Sequence, residues 1–273
     1  MKYETLDGRS IPKIGFGMWK IGGDSYPDIS LDARSMTALR TALQVGYTHF
    51  DTAESYASGH SEELLGRAIR EMNAERAKLF LTTKISPEHL AYEQVFRSCE
   101  GSLRRIGVEY VDLYLIHWPP RSDMNLEESF RALNKLVRDG KVKHLGVSNF
   151  NLKLLKKAQS LSESPIFTNQ VPYRLPDRTY VENGVLEYCQ QNDILVTAYS
   201  PVKFRNLPVN KTLREIAEAH SATPYQIALA WLVAQPRVIT IPLSQDPQHI
   251  RENFAAAEIE LSKEELKILS ELY

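Results

Sequence analysis

Lys13-Ile14-Gly15-Phe16-Gly17-Met18-Trp19-Lys20-Ile21-Gly22-Gly23 is the stretch on which the fold turns. An apolar run that ends in Gly15-Phe16-Gly17 starts like the glycine turn of a Rossmann unit. That turn must open a helix, and here the chain runs into a loop through Gly22-Gly23 instead. Working outward, comparable runs follow at Thr48–Asp51, Leu79–Lys84, Asp112–His117, His144–Ser148, Ile166–Gln170, Leu195–Tyr199 and Val238–Pro242. Between them lie amphipathic stretches with helical spacing, such as Leu126, Phe130, Leu133 and Val137, or Leu152, Leu155 and Ala158. Ser61 ahead of Glu62-Glu63 and Asn151 directly after a run mark helix starts, and Asp139-Gly140 marks a left-handed helix end. Before the first run, Tyr3 to Ile11 with Asp7-Gly8 at its middle predicts a β-hairpin. Eight strands alternating with helices call for parallel pairing through right-handed crossovers. A doubly wound open sheet is the other solution. The count of eight and the missing glycine-to-helix turn favour an α/β fold of the (β/α)8 TIM-barrel type with an N-terminal hairpin. The 273 residues suit one such domain, residues 1–273, since the fold needs about 250.

Composition excludes several functions. The formal net charge is -1 and no lysine or arginine block occurs, which argues against nucleic acid or an acidic membrane as partner. No segment approaches the roughly 18 uninterrupted apolar residues of a membrane span, and Met1-Lys2-Tyr3-Glu4-Thr5 lacks the apolar run of a signal peptide. Cys99 and Cys189 stand far apart with no metal-ligand spacing around them, which suits a reducing cytoplasm. Metal-dependent hydrolysis would need several His, Asp or Glu ligands at the strand ends, and His117 stands without them. No metal is expected.

In a barrel of this kind, chemistry sits at the carboxyl ends of the strands. The runs end in Asp51, Lys84, His117, Ser148-Asn149, Gln170 and Tyr199. Any one of these has an ordinary explanation: a rim salt bridge for Asp51 and Lys84, a core histidine, a helix cap for Ser148-Asn149. An acid, a base and an imidazole at successive strand ends point to a reaction centre.

Several stretches carry a family resemblance. They include Gly15-Phe16-Gly17-Met18-Trp19, Gly46-Tyr47-Thr48-His49-Phe50-Asp51-Thr52-Ala53 and Ser61-Glu62-Glu63-Leu64-Leu65-Gly66. Others are Asp112-Leu113-Tyr114-Leu115-Ile116-His117-Trp118-Pro119, Gly146-Val147-Ser148-Asn149-Phe150, Asn169-Gln170-Val171, Ala198-Tyr199-Ser200-Pro201 and Ile241-Pro242. In this order they resemble the aldo-keto reductases from end to end, most of all the stand-alone microbial members, including archaeal alcohol dehydrogenases of that superfamily.

The resemblance implies an oxidoreductase that passes hydride between a nicotinamide and a carbonyl or alcohol, with the tetrad Asp51, Tyr56, Lys84 and His117. A phenol is a poor acid at neutral pH. A neighbouring ammonium favours phenolate, so Lys84 is expected to lower the Tyr56 pKa, with Asp51 as its counter-ion. His117 would orient the substrate oxygen. The resemblance also implies that Tyr199 stacks under the nicotinamide, that Ser148, Asn149 and Gln170 bind its carboxamide, and that Ser200 and Val202 lie along the pyrophosphate. Met18 and Trp19 would border the cofactor, and Ser244, Glu252 and Asn253 would face the adenosine. Leu243 and His249 replace the lysine and arginine that grip a 2′-phosphate in many members, so NADPH preference should weaken and NADH be accepted or favoured. Lys203 or Arg205 would be the substitute cation.

Substrate choice belongs to the loops. The chain reaches a helix by about Leu126 after His117, the loop after Tyr199 runs only to about Pro208, and no long tail follows the helix of Glu264–Leu272. Such loops imply quick cofactor release and a shallow pocket walled by Trp19, Tyr56, Trp118 and Tyr26, beside His117, for small aldehydes, dicarbonyls or ketones. The competing reading within the same family is a non-catalytic, nicotinamide-sensing regulatory barrel, against which the complete tetrad argues. Monomers or small homo-oligomers are expected.

Overall fold

The computed structural model describes every residue except residue 7, 121–124 and 203–206, so the turn residue Asp7 and the cation candidates Lys203 and Arg205 lie outside the described residues. Eight parallel strands follow one another around a ring: β3 (Phe16–Gly17), β4 (His49–Asp51), β5 (Phe80–Ile85), β6 (Val111–Ile116), β7 (Val142–Ser148), β8 (Thr168–Pro172), β9 (Leu195–Tyr199) and β10 (Val238–Thr240). The first and last close on each other. The Thr240 amide donates to Lys13 O at 2.8 Å, Gly15 N to Thr240 O at 2.8 Å and Gly17 N to Pro242 O at 3.2 Å. This seam explains the two glycines. A Cβ on Gly17 would sit 2.5 Å from Ile241 O, and one on Gly15 would sit 2.5 Å from the His49 ring. They serve close approach inside a ring of strands.

The hairpin of β1 (Tyr3–Leu6) and β2 (Arg9–Pro12) precedes the ring. Its Leu6 and Ile11 join Phe80, Leu113, Leu115, Phe167, Leu195 and Ile239 in one apolar cluster. Since Phe80 and Leu195 open their strands, the hairpin plugs the amino end of the barrel and leaves the carboxyl end as the mouth. Residues two apart share a face of a strand. Above the floor, therefore, His49 and Thr82 come together at 3.1 Å, and Asp51 and Lys84 meet one layer higher.

Outside the ring, the helices bury one stripe each, except the helix Pro224–Ala234, which is buried on all sides from Ile227 to Val233. In α4 (Leu126–Arg138) Leu126, Phe130, Leu133 and Leu136 are buried, close to the spacing expected, and Asn125 caps the helix through Glu127 N and Glu128 N. Burying a side chain of this size contributes about 1.5–3 kcal/mol. Asn151 caps α5 (Leu152–Leu161) through Leu154 N at 2.9 Å, so Ser148 and Asn149 are left to the mouth. Gly140 follows α4 with φ +72°. Ser61 departs from expectation: α2 (His60–Glu71) starts two residues earlier, after left-handed Gly59, and buries Ser61 inside its first turn against Thr52. The helices α1 (Asp32–Val45), α3 (Tyr92–Ile106), α6 (Val185–Gln191), α7 (Lys211–Ala219), α8 (Pro224–Ala234), α9 (Pro247–Ala255) and α10 (Lys263–Glu271) complete the shell, and among the described residues none is long and apolar enough to cross a membrane.

Candidate active site

Lys84, on β5, organises the mouth. Its side chain is wholly buried, and an ammonium has three protons to place. One goes to Asp51 Oδ1, one to Thr52 O at 2.7 Å and one to the Tyr56 hydroxyl at 3.3 Å. Asp51 ends β4, two positions on from His49, and its second oxygen accepts from Gln170 Nε2 at 2.7 Å across the ring. Tyr56 comes from the turn after β4. There Ala57 and Ser58 both hold left-handed φ values, 48° and 51°, which side-chain-bearing residues adopt at a cost. The turn is fixed by Ala57 N on Asp24 O at 2.8 Å and Ser58 Oγ on Ser25 O at 2.9 Å. His117 follows β6, its amide donating to Ile85 O at 3.0 Å, and its ring meets Tyr56 edge-on with centroids 5.5 Å apart. The four tetrad residues thus converge.

Electrostatics refine the expected roles. Burial alone would push the Lys84 ammonium down, but the Asp51 carboxylate and the Tyr56 phenol outweigh it and hold Lys84 above the ordinary lysine value. For Tyr56 the expected pull by Lys84 is present but is not the largest influence. Lys84 does pull its pKa down, yet burial, aided by the Asp51 charge, pushes harder the other way and leaves the phenol above its ordinary value. Tyr56 is therefore protonated at neutral pH. Burial and then the Lys84 charge lower His117 to about 3, so its imidazole is neutral at physiological pH. Its Nδ1 lies 3.2 Å from the Ser55 hydroxyl. Sequence reasoning missed Ser55: the only signal was a hydroxyl beside Tyr56, in a turn whose direction no pattern fixes.

The cofactor candidates form a second arc. Tyr199 is half-buried at the end of β9, and its hydroxyl donates to Asn149 Oδ1 at 2.9 Å. Asn149, at φ +62°, donates to Ser148 Oγ at 3.0 Å and to His117 O at 3.3 Å, and Ser148 Oγ donates to Gln170 O at 2.9 Å. A phenol ring backed by amides fits a flat ring carrying a carboxamide: Gln170 has its amide nitrogen on Asp51 and its oxygen left to accept. Ser200 follows with φ +51°, and Val202 packs on the core. At the far end, Leu243 is partly buried against the core and Ser244 Oγ accepts from Asp246 N at 3.0 Å. Asp246 caps α9, accepting from Gln248 N at 2.8 Å and from His249 N. Glu252 Oε1 takes Gln248 Nε2 at 2.7 Å and Asn253 is buried. Met18 is fully buried in the core, its carbonyl accepting from Ile21 N and Ser61 Oγ.

Trp19 and Trp118 are 45 % and 50 % exposed, and Trp118 stacks on His117 with centroids 6.3 Å apart. Tyr26 is 79 % exposed and stacks on no described ring. Among the described residues no group of His, Cys, Asp and Glu could hold a metal ion.

Known proteins resemble this chain in sequence and in fold. Methylglyoxal reductase YeaE of Escherichia coli is 36 % identical over 270 residues, covering 97 % of this chain and 92 % of the relative. The glyoxal reductase of Bacillus subtilis is 34 % identical, covering 95 % and 88 %. Among solved structures, the thermostable aldo-keto reductase Tm1743 bound to the inhibitor epalrestat superposes with a TM-score of 0.95 at 46 % identity over the whole of both chains. An aldo/keto reductase from Klebsiella pneumoniae in complex with NADP and acetate gives 0.89 at 35 % identity, covering 100 % and 95 %. Residues 13–273, from the closing seam of the barrel through its last helix, match the model of the aldo/keto reductase family, and the chain belongs to that family.

Proposed function

We propose that this chain, as one domain, reduces small aldehydes and ketones to alcohols with a reduced nicotinamide as hydride donor, Tyr56 delivering the proton. The observation that carries the reading is the spending of the Lys84 protons on Asp51, Thr52 O and the Tyr56 hydroxyl. A bound reduced nicotinamide supplies hydride to the carbonyl carbon. The carbonyl oxygen gains its proton from Tyr56, and the C=O π bond is replaced by one C–H and one O–H bond. The Lys84 ammonium, 3.3 Å away, stabilises the phenolate left behind until solvent returns a proton. His117, neutral, donates a hydrogen bond that orients the substrate oxygen. In the reverse direction the phenolate form takes the proton from an alcohol, and the raised Tyr56 pKa places that reaction at more alkaline pH.

Tyr199, Ser148, Asn149 and Gln170 would hold the nicotinamide. Trp19 and Trp118 would wall an open pocket that suits compact carbonyls, and methylglyoxal or glyoxal, on which two relatives act by name, are the substrates to try first. NADPH fits the bound forms of the Klebsiella relatives, whereas Leu243 and His249 argue for tolerance of NADH. The test is turnover of methylglyoxal by wild type and Tyr56→Phe. Losing a positioned proton donor is expected to cost about 10²- to 10⁴-fold in kcat with cofactor binding retained. Full activity in Tyr56→Phe would overturn the assignment.

A further inference from the structure

We propose that Ser55 fixes the tautomer of His117, donating to Nδ1 so that the ring proton sits on Nε2 and faces the substrate. The inference rests on the reductase reading above and adds a positioning residue to it. A neutral imidazole carries one N–H and one lone pair, so the partner of one nitrogen decides what the other can do. His117 is neutral because burial and the Lys84 charge disfavour its cation. Its Nδ1 lies 3.2 Å from Ser55 Oγ, and Nε2 has no hydrogen-bond partner among the described residues.

A carbonyl oxygen only accepts. For the mouth to bring both Tyr56 O–H and His117 to that oxygen, Nε2 must bear the hydrogen and Nδ1 must accept. Lys84 cannot supply a donor to either ring nitrogen, because its protons go to Asp51, Thr52 O and Tyr56. The serine hydroxyl is exposed, so water can satisfy its lone pairs while its proton serves the ring. The backbone fixes it there: Tyr56 N donates to Ala53 O at 3.1 Å, and the left-handed pair Ala57 and Ser58 aims Tyr56 and Ser55 at His117 from one turn.

The experiment reads the ring directly. Protein labelled with ¹⁵N in its imidazoles is examined without ligand by two-bond ¹⁵N–¹H correlation, with His117→Asn used to assign the signal. Wild type and Ser55→Thr should show the Nε2–H pattern, and Ser55→Ala should shift towards a mixture of tautomers. In parallel, kcat for methylglyoxal should fall about tenfold in Ser55→Ala, the worth of one hydrogen bond, recover in Ser55→Thr, and leave cofactor affinity unchanged. An Nδ1–H pattern in wild type, or an identical spectrum in Ser55→Ala, overturns the proposal. A tautomer that follows Ser55 in a protein that reduces no carbonyl upholds the positioning role and sinks the reductase reading alone.

Discussion

Gln170 and Asp51, 119 positions apart in the chain, are joined across the mouth of the barrel by an amide-to-carboxylate hydrogen bond of 2.7 Å. The bond makes Gln170 part of the charge balance around Lys84, in addition to any role towards a nicotinamide. Asp51 needs both partners, because a buried carboxylate without donors is costly.

Replacing Gln170 with glutamate tests this link. Two carboxylates at that separation cannot both ionise, so one must take up a proton. The proton would weaken the hold on Lys84 or compete for it. The expected result is a loss of kcat of about tenfold or more, together with a new ionisation in the pH profile that Gln170→Ala lacks. A Gln170→Glu enzyme with an unaltered profile would show that the bond does not matter to the site.

Much of this could be read in the chain itself. Strands betray themselves as short apolar runs, and the observed strands begin or end within a few residues of Lys13–Gly17, Leu79–Lys84 and Val238–Pro242. Asp51, Lys84 and His117 were legible as polar residues closing apolar runs, whereas Tyr56, in a turn beyond β4, was pointed to by the family resemblance alone. Three things were not legible. The start of α2 at His60 rather than after Ser61 depends on a left-handed glycine that Arg105 packs against. The direction of the Tyr56 shift depends on burial, which competes with Lys84 and wins. The contacts of Ser55 and Gln170 are long-range, so no local pattern announces them.

Two histidines should make the protein sensitive to acid. Burial lowers His117 to about 3 and His49 to about 4, from an ordinary value of 6.5. Each binds its proton more readily in the unfolded chain than in the folded one. Their contribution is therefore fully present above about pH 6.5 and is lost as pH falls towards 4 and 3. Where only the unfolded form is protonated, each group costs about 1.4 kcal/mol of stability per pH unit. Urea unfolding at pH 7, 6 and 5 should show the decline, and His117→Asn should flatten it by about one proton. Equal slopes in the two proteins would contradict the assignment of a neutral, buried His117.

Cofactor choice should respond to charge at the start of α9. Asp246 already occupies that helix terminus, taking the Gln248 and His249 amides, and Leu243 offers no cation. If the family placement of the 2′-phosphate holds here, the double variant Leu243→Lys, His249→Arg should raise kcat/KM for NADPH relative to NADH by at least about tenfold, as two charge-assisted bonds allow. The NADH value itself should change little. A thousandfold preference of wild type for NADPH would refute the idea that the site tolerates NADH.

The packing of α2 on α3 gives a prediction in which two effects of opposite sign compete. Glycine within a helix costs roughly 1 kcal/mol against alanine, so Gly66→Ala should stabilise on propensity alone. A Cβ at Gly66, however, would lie 2.1 Å from Ile106 O and 3.0 Å from Arg105 O, backbone atoms that cannot swing aside. The helices must separate, at a cost of typically 1–3 kcal/mol, and with them the Glu62–Arg105 ion pair, whose Nε–Oε2 distance is 2.6 Å. Arg105 also packs under Gly59, in the turn that carries Tyr56, so kcat should fall together with stability. Gly101→Ala is the control. Its Cβ would meet only the Arg105 guanidinium, at 3.1 Å, which can move. Urea unfolding of the two variants should find Gly66→Ala less stable than wild type and Gly101→Ala close to it. A Gly66→Ala protein as stable as wild type would mean that the α2–α3 contact is looser than this geometry.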